Sequence, residues 1–275
     1  MTHLSLGFSP CPNDTFIFHG LVHGAVEAEG LKFEPQLHDV ETLNQLALRG
    51  ELDVTKVSYG ALPYLLEDYV LLRSGGALGR GCGPLVVTRP ELAGTAVRGL
   101  RIAIPGRFTT AHLLLRLYAA ATTRVVDMTY DRIMPAVASG EVDAGLIIHE
   151  SRFTYPQHGL EKVVDLGEWW EEATGSAIPL GGIVARRELG EDIPGIEAAI
   201  RRSVELAFSN PSATAEYVRA HAQEMSEEVT RSHIDLYVND FSVDLGPEGE
   251  HAVRELARRA AEAGLVPSAM DPLQR

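Results

Sequence analysis

The sequence predicts two similar α/β lobes joined by two crossing strands, with a ligand cleft between them. Three observations point there. Short apolar strands alternate with helices, the pattern of a parallel sheet covered by helices. The order of elements returns roughly ninety residues later in the 275-residue chain. Three pairs of short segments recur in that order, more than any two βαβ units share by chance.

Leu4–Phe8 reads as a buried strand. The turn-rich loop Ser9-Pro10-Cys11-Pro12-Asn13-Asp14-Thr15 follows, then an apolar helix over about 14–23. Leu31–Leu37 alternates like a strand, and Val40–Leu48 is a short helix with Gly50 where a left-handed cap would sit. Asp53–Ser58 is the next strand. In the second round, Leu100–Ile104 is a strand, Pro105–Thr110 a loop, and Ala111–Ala120 a helix opened by hydroxyl caps. Arg124–Met128 is a strand, Asp131–Ser139 a helix capped by Gly140, and Asp143–Ile148 a strand. Gly50-Glu51-Leu52-Asp53-Val54 matches Gly140-Glu141-Val142-Asp143-Ala144, and Gly83–Arg89 matches Gly181–Arg187. The crossings are expected at 86–88 and 183–185. Lobe one then comprises 1–88 plus 185–275, and lobe two 89–184. Helices over 193–208, 213–220, 227–238 and 248–263 are expected to pack back on lobe one.

Composition narrows the function. The formal charge of −14 repels phosphate backbones and anionic lipid, so nucleic-acid and membrane roles are disfavoured. Two cysteines, Cys11 and Cys82, are too few for a disulfide scaffold or a four-cysteine zinc site. No apolar run approaches the ~20 residues of a membrane span. Met1–Phe8 lacks the basic start of a secretory signal, so a complete chain is expected in the cytoplasm.

Ligands of open α/β sheets bind beyond the carboxyl ends of the strands. Those ends carry Ser9–Asp14, Lys56–Tyr59, Arg107–Thr110 and His149-Glu150. Thr109-Thr110 opens a helix, where free N–H groups, the helix dipole and two hydroxyls suit an anion; plain capping is the other reading. Lys56 is one of three lysines against 21 arginines. It either snorkels outward or, with Ser58 on the same strand face, presents a cation and a hydroxyl to a carboxylate. His149 ends an apolar strand at the cleft, either as a hydrogen-bonded structural residue or as a general base titrating near neutrality. Strand alternation sends Glu150 to the opposite side.

Weaker constellations remain. His19 and His23 are four apart on a helix but have no third ligand at sensible spacing, so no metal is expected. Gly75–Gly81 lacks a phosphate-loop ending and reads as a flexible connection. Cys82 lacks a base partner for nucleophilic chemistry. Trp169-Trp170 either lines the cleft or packs a helix face.

Several segments together resemble the 1,4-dihydroxy-6-naphthoate synthase family of the futalosine route to menaquinone. They are Ser9-Pro10-Cys11-Pro12-Asn13-Asp14-Thr15-Phe16, Asp53–Ser58, Gly81-Cys82-Gly83-Pro84-Leu85, the Thr109-Thr110 helix start and Ile147-Ile148-His149-Glu150. The resemblance runs from residue 4 to about 190, with a helical tail of compatible length. It implies a type II periplasmic-binding-protein-like fold. It also implies a cofactor-independent lyase that converts cyclic dehypoxanthine futalosine to 1,4-dihydroxy-6-naphthoate with release of dihydroxyacetone. His149 would be the base, and Lys56, Val57, Ser58, Thr109 and Thr110 would hold the small carboxylate substrate. Asp14 and Asn44 are further candidate contacts. Chorismate dehydratase of the same pathway and a non-catalytic binding protein for a small carboxylate are the other readings. Oligomeric state is left open.

Overall fold

The computed structural model describes residues 2–28, 30–119, 124–222, 226–267 and 270–274. The chain order is β1 (Thr2–Phe8), α1 (Pro12–Val22), β2 (Leu31–Leu37), α2 (Val40–Leu48), β3 (Val54–Ser58), β4 (Tyr69–Leu71), β5 (Ala77–Gly79) and β6 (Leu85–Thr88). Then come β7 (Arg101–Ile104), α3 (Thr110–Ala119), β8 (Arg124–Asp127), α4 (Tyr130–Ala138), β9 (Ala144–Ile147), α5 (Ser151–Thr154), β10 (Glu161–Asp165), α6 (Leu166–Thr174) and β11 (Ile178–Arg186). The C-terminal part is helical: α7 (Ile193–Ser209), α8 (Pro211–His221), α9 (Glu227–Tyr237), α10 (Asp240–Val243) and α11 (Gly246–Glu262). Ala120, expected to end a helix, lies outside the described residues.

The strands form two sheets. The first runs β2-β1-β3-β11-β4, with β5 also on β11; the second runs β8-β7-β9-β6-β10. Read from that end, the two orders are equivalent, strand for strand. In each sheet the first three strands are parallel, and the fourth is antiparallel and arrives from the other half of the chain. The fold is thus α/β, with two similar lobes exchanging one strand each.

Sheet membership moves the expected boundaries at 88/89 and 184/185. β6 has neighbours on both sides in the second sheet, and β11 pairs with β3, β4 and β5 in the first. The crossings are therefore the connections 80–84 and 175–177. The third repeat also shifts by one residue. Thr88 faces Ala144 while Ala185 faces Val54, so Arg89 corresponds to Arg186, not Arg187. A slip of one would turn every side chain to the wrong face. The two arginines behave alike. Arg89 donates to the carbonyls of Val137 and Val142 beside Gly140, and Arg186 to that of Gly50. Both glycines have positive φ, 67° and 81°, and close α2 and α4 as expected.

Two further expectations change. Gly75–Gly81 is no flexible connection, because Ser74–Gly79 is buried and contains β5. The C-terminal helices do not all settle on lobe one. α7, α8 and α9 pack on α1, but α11 lies against both β11 and α3. From α11, Arg259 stacks 5.7 Å above the Trp170 ring and donates to the Ala173 carbonyl, reaching lobe two. The largest apolar core accordingly holds side chains from both lobes, including Tyr59, Leu114, Trp170 and Leu256.

The lobes meet backbone to backbone at Gly60. A Cβ there would sit 2.7 Å from the Thr109 carbonyl oxygen and 2.8 Å from that of Phe108. Gly60→Ala should force the lobes apart and lower stability by about 1–3 kcal/mol, read from urea unfolding. An unchanged midpoint would show that the two backbones separate freely.

Candidate functional site

A cavity partly open to solvent lies where the two sheets face each other. The loop after β1, the end of β3, the start of α3 and the chain after β9 all open onto it. These are the strand ends singled out from the sequence, joined by Leu180-Gly181 of β11 and by Tyr237 at the end of α9.

Pro12 at the first position of α1 pre-sets the helical φ, and Asp14 falls in its first turn, where the dipole favours negative charge. The Asp14 carboxylate takes four donors. Ser9 gives its N–H (3.1 Å) and hydroxyl (2.8 Å) to Oδ2, while Asn13 Nδ2 (2.8 Å) and Lys56 Nζ (2.9 Å) reach Oδ1. Lys56 does not snorkel. It is 6% exposed, bonds the Gly75 carbonyl at 3.0 Å as well as Asp14, and keeps one ammonium hydrogen for the cavity. It is therefore not the free cation the sequence suggested.

Ser58 is held by Asn44. The Ser58 N–H donates to Asn44 Oδ1 (2.8 Å), and Asn44 Nδ2 donates to Ser58 Oγ (3.1 Å). The Ser58 hydroxyl hydrogen is left to turn into the cavity. Asn44 is fully buried behind Ser58 and does not line the cavity, so it positions a contact instead of making one. Val57 borders the cavity while its side chain belongs to the apolar core.

The two threonine hydroxyls are spent elsewhere. Thr109 Oγ1 donates to the Gly106 carbonyl (2.8 Å) and caps the His112 N–H; Thr110 Oγ1 donates to Leu180 O (2.6 Å) and accepts from Gly60 N–H (3.1 Å). Thr110 thus ties α3 to lobe one. An anion here would meet the first N–H groups of α3, which have no intrahelical partner, and the positive end of its dipole. The expectation of two donating hydroxyls is corrected, because neighbouring backbone carbonyls claim both hydrogens.

His149 lies two residues beyond β9 with φ of 57°, the one non-glycine residue in the left-handed region among the described residues. The chain has left the sheet, so strand alternation no longer applies. Glu150 does not border the cavity, although its charge is felt at His149. It exerts the largest charge effect on His149, and its Oε2 is buried without a hydrogen-bond partner among the described residues. The His149 ring meets Tyr130 edge-on at 5.6 Å and stacks near-parallel on His233 at 6.1 Å. Burial lowers its pKa below the ordinary imidazole value, partly offset by Glu150 and Asp14. A neutral imidazole is the form that can accept a proton.

The remaining candidates separate from the site. Cys82 lines the cavity, but burial pushes its thiol up to about 12, far from a reactive thiolate. Trp170 is core, with Nε1 on the Ala177 carbonyl, and Trp169 packs edge-on against Tyr118; neither borders the cavity. His19 and His23 stack on each other beside Tyr217, and no group of three metal-ligating side chains exists among the described residues. No described helix is long and apolar enough to cross a membrane. Tyr237, Asn13 and His233 escaped the sequence reading. Only the loop containing Asn13 was marked, by its place after a strand.

A family model described as menaquinone biosynthesis matches residues 4–262. The chain belongs to this family. It is 58% identical over 274 residues to 1,4-dihydroxy-6-naphthoate synthase of Thermus thermophilus, covering 99% of each chain. It is 51% identical over 271 residues to the synthase of that name from Streptomyces coelicolor, covering 96% of this chain and 95% of that one. A crystal structure of an Archaeoglobus fulgidus protein superposes with a TM-score of 0.89 at 36% identity, covering 96% and 98% of the two chains. The alkanesulfonate-binding protein SsuA of Xanthomonas axonopodis pv. citri, bound to MOPS, superposes with a TM-score of 0.71 at 15% identity over 97% and 95%. That likeness shows the periplasmic-binding-protein-like fold.

The buried Lys56–Asp14 pair yields a stability test. Asp14→Ala would leave a buried ammonium without its carboxylate and should cost about 3–5 kcal/mol. Ser9→Ala removes one neutral donor and should cost roughly 1 kcal/mol. Urea unfolding of the two variants checks the ranking, and equal losses would show that the ion pair is not the controlling contact.

Proposed function

We propose that the protein splits cyclic dehypoxanthine futalosine into 1,4-dihydroxy-6-naphthoate and dihydroxyacetone, with His149 as general base. The observation that carries this reading is an imidazole without a hydrogen-bond partner among the described residues, beside a cluster of anion-facing donors. The full-length identity to relatives named for that synthase supports it, and favours it over the dehydration of chorismate.

In this reading the side chains divide the work as follows. The Ser58 hydroxyl, the spare Lys56 hydrogen and the first N–H groups of α3 hold the substrate carboxylate. His149 takes a proton from the sugar-derived part of the substrate, a carbon–carbon bond breaks, and the ring becomes aromatic. Aromatisation drives the step, so the protein supplies orientation, a base and exclusion of water. No cofactor is called for. Purified protein and substrate, with nothing else added, should release the naphthoate, and EDTA should not reduce the rate. Substrate recovered unchanged would instead favour a protein that only captures a carboxylate.

His149→Asn keeps the size but cannot accept the proton, so kcat should fall by roughly 10²–10⁴-fold. KM should change far less, because ground-state contacts survive. Burial lowers the His149 pKa, so the neutral form persists below the usual imidazole midpoint. The acid limb of the wild-type pH–rate profile should accordingly lie below about pH 6.5. A variant within about tenfold of wild-type kcat would remove His149 from the role.

Ser58→Ala should raise KM by roughly five- to a hundredfold, the cost of an unpaired polar partner of 1–3 kcal/mol. An unaltered KM would take Ser58 out of the carboxylate contact.

A further inference from the structure

We propose that His233 is a positioning residue that couples the base to the substrate-holding cation. Its ring lies against the face of His149, and its Nε2–H reaches, through Asn13, the Asp14–Lys56 pair. This rests on the reading of His149 as base.

The hydrogen-bond chain fixes the chemistry of His233. Asp14 Oδ1 accepts from Lys56 Nζ at 2.9 Å, so it is an acceptor, and Asn13 must present its NH₂ to it at 2.8 Å. The Asn13 carbonyl oxygen is thereby left to face His233 Nε2 at 2.9 Å. An oxygen there requires His233 to donate, which places the hydrogen on Nε2. Nδ1 is left as a lone pair, and it is buried without a partner among the described residues. His233 is fully buried on α9, and burial together with His149 keeps it neutral.

The ring does a second job. His149 sits in a left-handed backbone conformation, which a residue with a side chain adopts at a cost. Its imidazole has Tyr130 at its edge and His233 across one face, the two rings only 18° from parallel. With 6.1 Å between ring centroids, His233 occupies the space on that side of His149. The other charged or titratable groups near His149 are Glu150 on its own segment, Asp14 at the start of α1, Lys56 on β3 and Asp39 ahead of α2. Tyr237 stands beside His233 at 4.6 Å, one turn along α9. His233 both lies near-parallel to the His149 ring and hydrogen-bonds into the Asn13–Asp14–Lys56 chain. One α9 residue thus sets both the water access of the base and the amide orientation behind the cation.

Two substitutions divide the roles. His233→Phe keeps a flat ring on His149 but loses the donor to Asn13. His233→Gln keeps a donor of similar reach but loses the ring. The Phe variant should raise KM by roughly three- to tenfold, the weight of one buried hydrogen bond, and leave the titration of His149 in place. The Gln variant should hold KM within about twofold, since the bond is retained. It should also move the His149 titration upward, toward about 6.5, as water reaches the ring. The titration is followed by NMR of the imidazole in the free protein, with circular dichroism confirming that both variants fold. Both variants moving both readouts together, or moving neither, would overturn the proposal. Because the titration is measured without substrate, it judges His233 even if His149→Asn proves active and the assignment of the base fails.

Discussion

A lysine and an aspartate buried together hold the site in place. Taking two charges out of water costs several kcal/mol for each ion, and attraction between them offsets this only when the remaining hydrogen-bonding capacity is met. Here all of it but one ammonium hydrogen is met, and from distant parts of the chain. Asp14 gathers Ser9, Asn13 and Lys56, and Lys56 also bonds the carbonyl of Gly75. The loop after β1, the end of β3, the Gly75 turn and, through Asn13, helix α9 are thereby locked to one another. Residues 13 and 233, on two helices that pack together, meet in one hydrogen bond of 2.9 Å.

The second constraint is the seam between lobes. Thr110 bridges from α3 to Leu180 and Gly60, and Gly60 has no room for a side chain. Glu41 on α2 adds a bond from the Phe108 N–H at 3.2 Å, and burial raises its pKa. The N-terminal end of α3 is thus held over the lobe-one donors while the apolar core runs beneath both.

Much of this was legible in the sequence. Periodicity located most strands and helices within a residue or two, and the recurrence of Gly50–Val54 as Gly140–Ala144 disclosed the two lobes. β4, β5 and β10 went unread. They are three to five residues long, and short apolar runs carry no period of their own. The strand-end rule marked the segments around Asp14, Lys56, Thr109 and His149, all of which border one cavity. Beyond β9 the chain leaves the sheet, so the left-handed backbone at His149 could not be read from strand alternation.

The sequence by itself determined the α/β class, the doubled plan and the strand ends that form the site, since these follow from local pattern and from rules about sheets. Tertiary structure alone decided which groups are free to act. Lys56 became half of an ion pair, Asn44 a support for Ser58, and the two threonine hydroxyls became bridges to backbone carbonyls. His233 entered beside His149 from 84 positions away in the numbering. The physical reason is hydrogen-bond satisfaction. A buried donor takes whichever acceptor the folded chain brings within about 3 Å, and the sequence does not carry that distance.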